Sequence, residues 1–451
     1  MDKIPYSVDD GFAWMESFTN LEKTPAGATR EYRLDRMEYL ATLFGKPQNS
    51  FKIIHTAGSK GKGSTSAFMA AGLAARGYKT GIYTSPHVTT YRERISLSGG
   101  MVPEEVYLEN ICLIRETVEL IPKANFPGSG EPTTFELLTL LAFLVFRQLR
   151  CQWVVLETGL GGRLDATNIV MPEASVITPI ELEHTEYLGS TIEEIAAEKG
   201  GIIKTGRPVF CGILSEKAEG VIKKRAAEKG APFHALLENA DISTSLKEQT
   251  TRIQWIDGSR CHLHLAMAGV HQGENAALAA LVLRELFSSG RESPAECFEK
   301  AFNTTSLPGR MERFEHGESV WILDGAHTPA SLRLTVATFR GIYGDNGILI
   351  FGSAMGKSPE GLAGETAGKF RDIIITRAGS FKPEDPGKVF EAFGDARTEA
   401  DEAIRSGTLN LIPDPVKAFK KAEDYAAAGR PVLVTGSFYM AGEIRPLLMK
   451  D

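Results

Sequence analysis

Two periods of apolar residues alternate along this chain. Short runs rich in β-branched and aromatic residues read as strands: Phe51 to Thr56, Lys79 to Tyr83, Trp153 to Leu156 and Ala174 to Thr178. Between them, apolar positions recur every three to four residues, as on one face of a helix. Ser64 to Arg76 is such a stretch, closed by Gly77. Phe135 to Leu149 is apolar nearly all round and reads as a buried helix. Thr191 to Lys199 opens on a capping box, Thr191 with Glu194, and stops at Gly200-Gly201. A β-rich stretch from Ile253 to Met267 precedes a helix from Asn275 to Phe287. Leu307-Pro308-Gly309 looks like a linker, and a second alternation follows. Its strands are Trp321 to Leu323, Gly347 to Phe351, Asp372 to Thr376 and Pro431 to Thr435. Strands alternating with helices predict an α/β chain of two domains, 1–306 and 307–451, the first with a mostly parallel sheet flanked by helices.

The length, 451 residues, agrees with two domains at roughly 100–200 residues each. Hydrophobic residues make up 43% and charged residues 24%, enough to bury a core and exclude a disordered chain. A net charge of −7 removes the global basic footprint of a nucleic-acid binder. It leaves room for small anions, because a few lysines, backbone N–H groups or a metal ion reverse the potential locally. Cys112, Cys151, Cys211, Cys261 and Cys297 form no CxxC and read as free thiols of a reducing compartment. The opening MDKIPYSVDD lacks the apolar core of a signal peptide, and Leu137 to Phe146 is too short to span a bilayer. The expectation is a cytoplasmic protein without membrane or nucleic-acid partners.

The segment Gly58-Ser59-Lys60-Gly61-Lys62-Gly63-Ser64-Thr65 lies between a strand and a helix, where a phosphate-binding loop belongs. Glycines let N–H groups turn inward, the helix N-terminus adds partial positive charge, and Lys62 can reach terminal phosphates. The spacing departs from GxxxxGK[ST], since Gly63 separates Lys62 from Ser64. The plainer reading is a glycine-rich turn with solvated lysines. Three further segments end strands on the same expected edge: Ser85-Pro86-His87, Glu157, and His184. Ligands of open parallel sheets bind beyond the carboxyl ends of the strands. A serine hydroxyl, a glutamate and a histidine there suit Mg2+ on ATP phosphates, since that ion needs only one or two carboxylates. Singly, each has a structural alternative: Glu157 pairing with Arg163, or His87 satisfying a turn carbonyl. His262-x-His264 puts both rings on one face of a strand, which suits a metal, but with no third ligand in sequence a partly exposed strand face is the favoured reading; His55 reads as a buried, hydrogen-bonded core histidine.

Taken together these segments resemble the folylpolyglutamate synthase and dihydrofolate synthase family of the Mur ligase superfamily, across nearly the whole chain. The resemblance rests on Leu34-Asp35-Arg36-Met37, the run to Lys62, Thr84-Ser85-Pro86-His87 with Glu93-Arg94-Ile95, and above all Glu157 to Asn168. It continues through Tyr187-Leu188-Gly189, Glu198 to Ile202, Gly269 to Asn275, Pro308-Gly309-Arg310, Asp324-Gly325-Ala326-His327 and Thr435 to Tyr439. It implies a P-loop-type first domain with folate-binding loops, a smaller Rossmann-like α/β ligase domain, and ATP-dependent addition of L-glutamate to a folate or pteroate carboxylate through an acyl phosphate. It implies Mg2+ on Ser85, Glu157 and His184, and Lys199 carbamylated, with K+ a further candidate ion. The plain alternative for Lys199 is a cation complementing a helix C-terminus. The resemblance places Asn275 at the adenine, Arg310 at the phosphates, Asp324 at the ribose, and His327 and Ser437 near the glutamate or acyl phosphate. Lys357 matches a family lysine.

The chain also departs from the family pattern. Ser59-Lys60 replaces a Thr-Asn pair, Glu183 replaces an Asp beside Glu181, and Thr328 replaces an Asn. The pterin site is expected in loops around Thr24 to Arg36 and Pro122 to Thr134, which leave reduced folate and dihydropteroate both open. Two other readings are a Mur-type ligase of UDP-sugars and a nucleotide-binding protein without catalysis. The Glu157 to Asn168 signature and the lack of an added N-terminal UDP-binding domain disfavour the first. Lys62, Glu157, His184 and Asp324 together disfavour the second. One chain supplies every expected site residue, so a monomer is the default.

Overall fold

The computed structural model describes residues 7–20, 32–288, 294–379, 383–398 and 400–449. Residues 24–31 of the expected pterin loops, and the side chain of Cys297, lie outside the described residues. Seven strands form the first sheet: β1 Lys52–Ala57, β2 Thr80–Tyr83, β3 Ile95–Leu97, β4 Trp153–Glu157, β5 Ala174–Ile177, β6 Val209–Cys211 and β7 Phe233–Ala235. Their order is β3-β2-β4-β1-β5-β6-β7, parallel throughout except for β3 on β2. A three-stranded antiparallel sheet follows, from β8 Ala240–Ser245, β9 Thr250–Trp255 and β10 Arg260–Leu263. The last sheet has β11 Glu312–His316, β12 Ser319–Leu323, β13 Ile348–Phe351, β14 Asp372–Ile375, β15 Leu409–Leu411 and β16 Val432–Thr435. Its order is β11-β12-β16-β13-β14-β15, with only β11 antiparallel.

Strand side chains alternate between faces, and in the seven- and six-stranded sheets both faces are apolar, so each of these two is covered twice, whereas the three-stranded sheet leaves one face exposed. Ile53, Val154 and Leu156 join the core beneath helices Val8–Glu16, Glu104–Glu119 and Thr134–Gln148. Their neighbours Ile54, Trp153 and Val155 face helices Lys62–Ala75, Val270–Leu286 and Pro294–Thr304. The last sheet repeats the pattern, with Leu349 and Phe351 on one side and Ile348 and Ile350 on the other. Burying each such side chain contributes about 1.5–3 kcal/mol.

Two helices start earlier than their apolar periodicity suggests. One begins at Lys62 rather than Ser64, the other at Val270 rather than Asn275. Gly61 (φ 80°) and Gly269 (φ 128°) turn the chain into each. Lys62 and Gly63 therefore belong to a first helical turn, and so do His271 and Gln272. Strand β8 lies ahead of the expected β-rich stretch; its polar sequence is held extended by pairing with β9. Cys112, Cys151, Cys211 and Cys261 are free thiols. No helix among the described residues is long and apolar enough to cross a membrane.

His55 lies wholly buried on β1, its Nε2 2.8 Å from Thr167 Oγ1. Burial pushes its pKa from 6.5 down to about 3, with Lys204 adding to the effect. The folded state thus binds fewer protons than the unfolded state between those values. Its stability contribution is present above pH 6.5 and lost as pH falls toward 3. Urea unfolding should show a loss of up to about 1.4 kcal/mol per pH unit in that window, beyond the loss in His55→Gln. Parallel pH curves for the two proteins would reject this.

Candidate functional site

The parallel strands β1, β2, β4 and β5 bring their carboxyl ends to one edge. After β1 the chain moves toward β2; after β5 it moves toward β6, which opens a crevice between the two loops. Gly58 sits at the end of β1 with φ +155°, and a Cβ there would lie 1.8 Å from Thr178 Oγ1. Only glycine lets the loop pass this close. The N–H groups of Ser59 and Lys60 donate to the Pro179 carbonyl at 2.8 and 3.2 Å. Ser59 Oγ donates to Glu181 O at 3.2 Å and accepts from Glu181 N at 3.0 Å. Ser59 and the Lys60 backbone therefore brace the loop, and these two amides point away from any ligand in the crevice. The N–H groups of Lys62, Gly63 and Ser64 open the helix, where no preceding turn accepts from them. That positive end suits a phosphate.

Lys62 Nζ donates to Gly58 O at 3.0 Å, and Lys199 Nζ donates to the same oxygen at 2.8 Å. Lys199 also donates to Glu183 Oε1 at 3.1 Å. Burial above all, and then the charge of Lys62, bring the Lys199 ammonium down to about 8. Glu157 ends β4, only 3% exposed. Its Oε2 accepts from Ser85 N at 3.2 Å, and its Oε1 lies 3.9 Å from Lys62 Nζ. Burial raises its pKa, opposed chiefly by Lys62. Arg163 does not pair with Glu157; it binds Glu198, with Nε at 3.0 Å. His184 (φ 48°) sits at the exposed rim of the crevice. Crowding by surrounding protein lowers its pKa; Glu183 opposes that shift, and Lys62 and Lys199 reinforce it. His87 Nδ1 accepts from Arg94 Nε at 2.9 Å, and its ring lies 4.2 Å from that of Tyr91. Among the described residues no three His, Cys, Asp or Glu side chains converge tightly enough to hold an ion unaided.

The last sheet contributes from across the cleft. Arg310 packs over the Phe438 ring at 4.4 Å, and its charge is felt by both Asp324 and Glu157. Asp324, at the end of β12, accepts from Met311 N, Ala326 N and Thr335 Oγ1 at 3.0, 3.0 and 2.8 Å. It thereby fixes the turn that carries Arg310. His327 Nδ1–H donates to Gly325 O at 2.8 Å, which leaves Nε2 as an acceptor. Burial, then Lys60, lowers this ring to about 4, and Lys357 and Arg310 add to the shift. Ser437 is a helix cap: its Oγ donates to Gly352 O at 2.9 Å and accepts from Met440 N at 3.0 Å. Asn275 packs against Gly61, with Nδ2 donating to Gln272 Oε1 at 3.1 Å and Oδ1 accepting from Thr65 Oγ1 at 3.3 Å. Thr328 caps helix Pro329–Tyr343.

Comparison with known proteins identifies the family. The Mur ligase middle domain family matches residues 56–283, and the Mur ligase glutamate ligase domain family matches residues 309–438. A dihydrofolate synthase/folylpolyglutamate synthase of Bacillus subtilis is 31% identical over 92% of this chain and 94% of its own. The chain belongs to the folylpolyglutamate synthase and dihydrofolate synthase family. Folylpolyglutamate synthase from Thermotoga maritima superposes with a TM-score of 0.82 at 28% identity, covering 98% of this chain and 97% of that one. The Mycobacterium tuberculosis enzyme, solved with ADP and AMPPCP, gives 0.81 at 28% identity, covering 93% and 96%.

Within this family frame, part of the Glu157 to Asn168 signature is scaffold. Asp165 accepts from Gly159 N and Leu160 N, both at 2.9 Å, and from Thr167 N at 3.0 Å. Asn168 Nδ2 donates to Arg163 O and Gly201 O, which seats the loop on the helix end that carries Lys199. Sequence reasoning gave no role to Arg94, 1% exposed, or to His271, which lies in the field of Asp324 and Arg310. Both fall inside stretches that carry the resemblance, Glu93-Arg94-Ile95 and Gly269 to Asn275, but nothing in their spacing names the partners they meet.

Gly58→Ala should shift the loop, because the new methyl meets Thr178. A loss of about 1–3 kcal/mol is expected in thermal or urea unfolding. Adding Thr178→Ala, which removes Oγ1, should recover part of it; full strain in the double variant would place the conflict elsewhere.

Proposed function

We propose that this chain uses ATP to join L-glutamate to the carboxylate of a reduced folate, of dihydropteroate, or of both, as a 1–306 nucleotide-binding domain working against a 307–451 ligase domain. The observation that carries this reading is the helix start at Lys62, flanked by the buried Glu157 and faced by Arg310. The substrate carboxylate attacks the γ-phosphorus, the bond to the β-phosphate oxygen breaks, and ADP leaves an acyl phosphate behind. The glutamate amine then attacks the acyl carbon, and phosphate leaves. Phosphoryl transfer of this kind needs positioning and charge neutralisation more than covalent help. Lys62 leaves its resting bond to Gly58 O to reach the phosphates, beside the open N–H groups of Lys62, Gly63 and Ser64. Arg310, stacked on Phe438, meets the phosphates from the other side. Ser59 and Lys60 hold the loop from behind, with the Lys60 ammonium near His327.

Glu157, Ser85 and His184 are the residues that would hold Mg2+, which neutralises phosphate charge when bound. They fit that ion: Glu157 Oε1 is a buried acceptor 3.9 Å from Lys62 Nζ, and the donors are hard oxygens with one imidazole. Asn275 and Asp324 line the nucleotide through residues they already anchor. His327 Nε2, held neutral, accepts from the incoming amine, and Ser437 shapes that subsite through its cap. Lys199, with its pKa near 8, carries a fraction of neutral amine at neutral pH, the form that adds carbon dioxide. Its carbamate would be an anion beside Glu183, balanced by Lys60 and Lys62. Closure around the linker near Leu307 keeps water from the acyl phosphate. The protein acts as a cytoplasmic monomer, since one chain carries the full set.

Purified protein with ATP, Mg2+ and labelled glutamate, offered tetrahydrofolate and dihydropteroate in parallel, tests the reading. Glutamate incorporation with at least one acceptor is expected, and none with either would overturn it. Lys62→Ala should lower kcat about 100-fold or more; near wild-type turnover would remove Lys62 from the phosphates. Glu157→Gln should raise the Mg2+ concentration needed for half-maximal rate by about tenfold, and an unchanged titration would take Glu157 out of the metal shell.

A further inference from the structure

The helix Phe438–Leu448 lies along the boundary between the two parts of the molecule. Its residues 438, 442 and 445 share one face, at spacings of four and three. Phe438 supports the Arg310 guanidinium at 4.4 Å. Gly442 meets the Val88 carbonyl so closely that a Cβ would stand 2.4 Å from its oxygen. Arg445 Nε donates to both oxygens of Glu312 at 2.9 and 3.0 Å, and its NH1 lies 3.7 Å from Glu93 Oε1. The three charged side chains are 16%, 13% and 14% exposed, so the cluster is nearly dry.

Each carboxylate also holds a loop of the site. Glu93 accepts from Val88 N at 2.7 Å and Thr89 N at 3.1 Å, which closes the turn that follows Ser85. Glu312 accepts from Gly309 N at 2.9 Å, which fixes the turn before Arg310. One guanidinium therefore ties the Ser85 loop, on the first sheet, to the Arg310 turn, on the last.

We infer that Arg445 is a positioning residue for the ligation: by gripping Glu93 and Glu312 together it sets the Ser85 loop and Arg310 in register across the cleft. The inference rests on the ligase reading for its kinetic consequence, but the coupling itself is structural. Neither Glu93 nor Glu312 needs to touch substrate. The rigid guanidinium is required, because its Nε reaches Glu312 while its NH1 faces Glu93, two directions that the single nitrogen of a lysine does not hold in one plane.

The test compares the wild type with Arg445→Lys, Arg445→Met and the neutral triple variant Glu93→Gln/Arg445→Met/Glu312→Gln. Hydrogen exchange at Val88, Thr89 and Gly309, thermal midpoint, and kcat with KM for ATP are measured on each. Arg445→Met should speed exchange at all three amides and lower kcat about tenfold or more, since small misplacements of reacting groups are costly. Arg445→Lys should fall between it and the wild type. The triple variant leaves no charge stranded, so its midpoint should recover while kcat stays low. Recovery of kcat together with the midpoint would reduce Arg445 to a stability role and overturn the inference, as would unchanged exchange in Arg445→Met. A wild type that ligates no glutamate would instead overturn the functional reading, and the exchange data would still judge the coupling.

Discussion

The Gly58 carbonyl oxygen accepts from two ammonium groups, Lys62 at 3.0 Å and Lys199 at 2.8 Å. The site is arranged around this contact. Two cations held on one oxygen repel each other, and burial deprives both of water. Glu183 beside Lys199 and Glu157 near Lys62 offset part of that cost. The carbonyl can face the lysines only because Gly58 lacks a side chain and packs on Thr178. Turning the carbonyl one way leaves the opening N–H groups of the helix facing the crevice. An open helix start and a pair of lysines gathered on one oxygen are two results of the same backbone geometry.

The charge of the chain takes on a different meaning in this light. A net −7 is a sum over the whole chain, whereas the crevice gathers Lys60, Lys62, Lys199 and Arg310 against Glu157, Glu181 and Glu183. Desolvation moves these groups in the directions expected of buried charge: the lysines Lys60 and Lys199 and the guanidinium of Arg310 downward, Glu157 upward. Such a cluster is poised rather than neutralised. An arriving polyanion relieves cation repulsion, and this is the physical basis on which phosphate and carboxylate substrates are favoured.

The halves of the molecule are joined by contacts that are narrow but specific. Helix Phe438–Leu448 touches the Ser85 side with a glycine and an arginine and supports Arg310 with an aromatic ring. On the last sheet's own side, Asp324 grips Met311 N and steadies the turn that carries Arg310. The turn that carries Arg310 is held by hydrogen bonds of its own, from Gly309 N to Glu312 and from Met311 N to Asp324.

Much of this was legible from the residues in order. Apolar periods of two and of three to four located most strands and several helices, because burial on both sheet faces leaves a clear pattern in composition. The glycine spacing at Gly58 to Gly63 announced close backbone approach, and strand ends marked Ser85, Glu157 and Asp324, because a parallel sheet sends its carboxyl ends to one edge. Local pattern failed where pairing decides the state, as in the polar strand β8, and where helix starts are hidden behind Gly61 and Gly269. It could not show that Ser59 and Ser437 spend their hydroxyls on the protein, that Arg163 chooses Glu198 over Glu157, or that Arg445 meets Glu93 and Glu312. Those pairings join residues far apart in the chain. The sequence by itself determined which chemical groups stand at which strand ends; only the tertiary structure decided which of them meet, since charge pairing depends on distances of a few ångström that no spacing along the chain encodes.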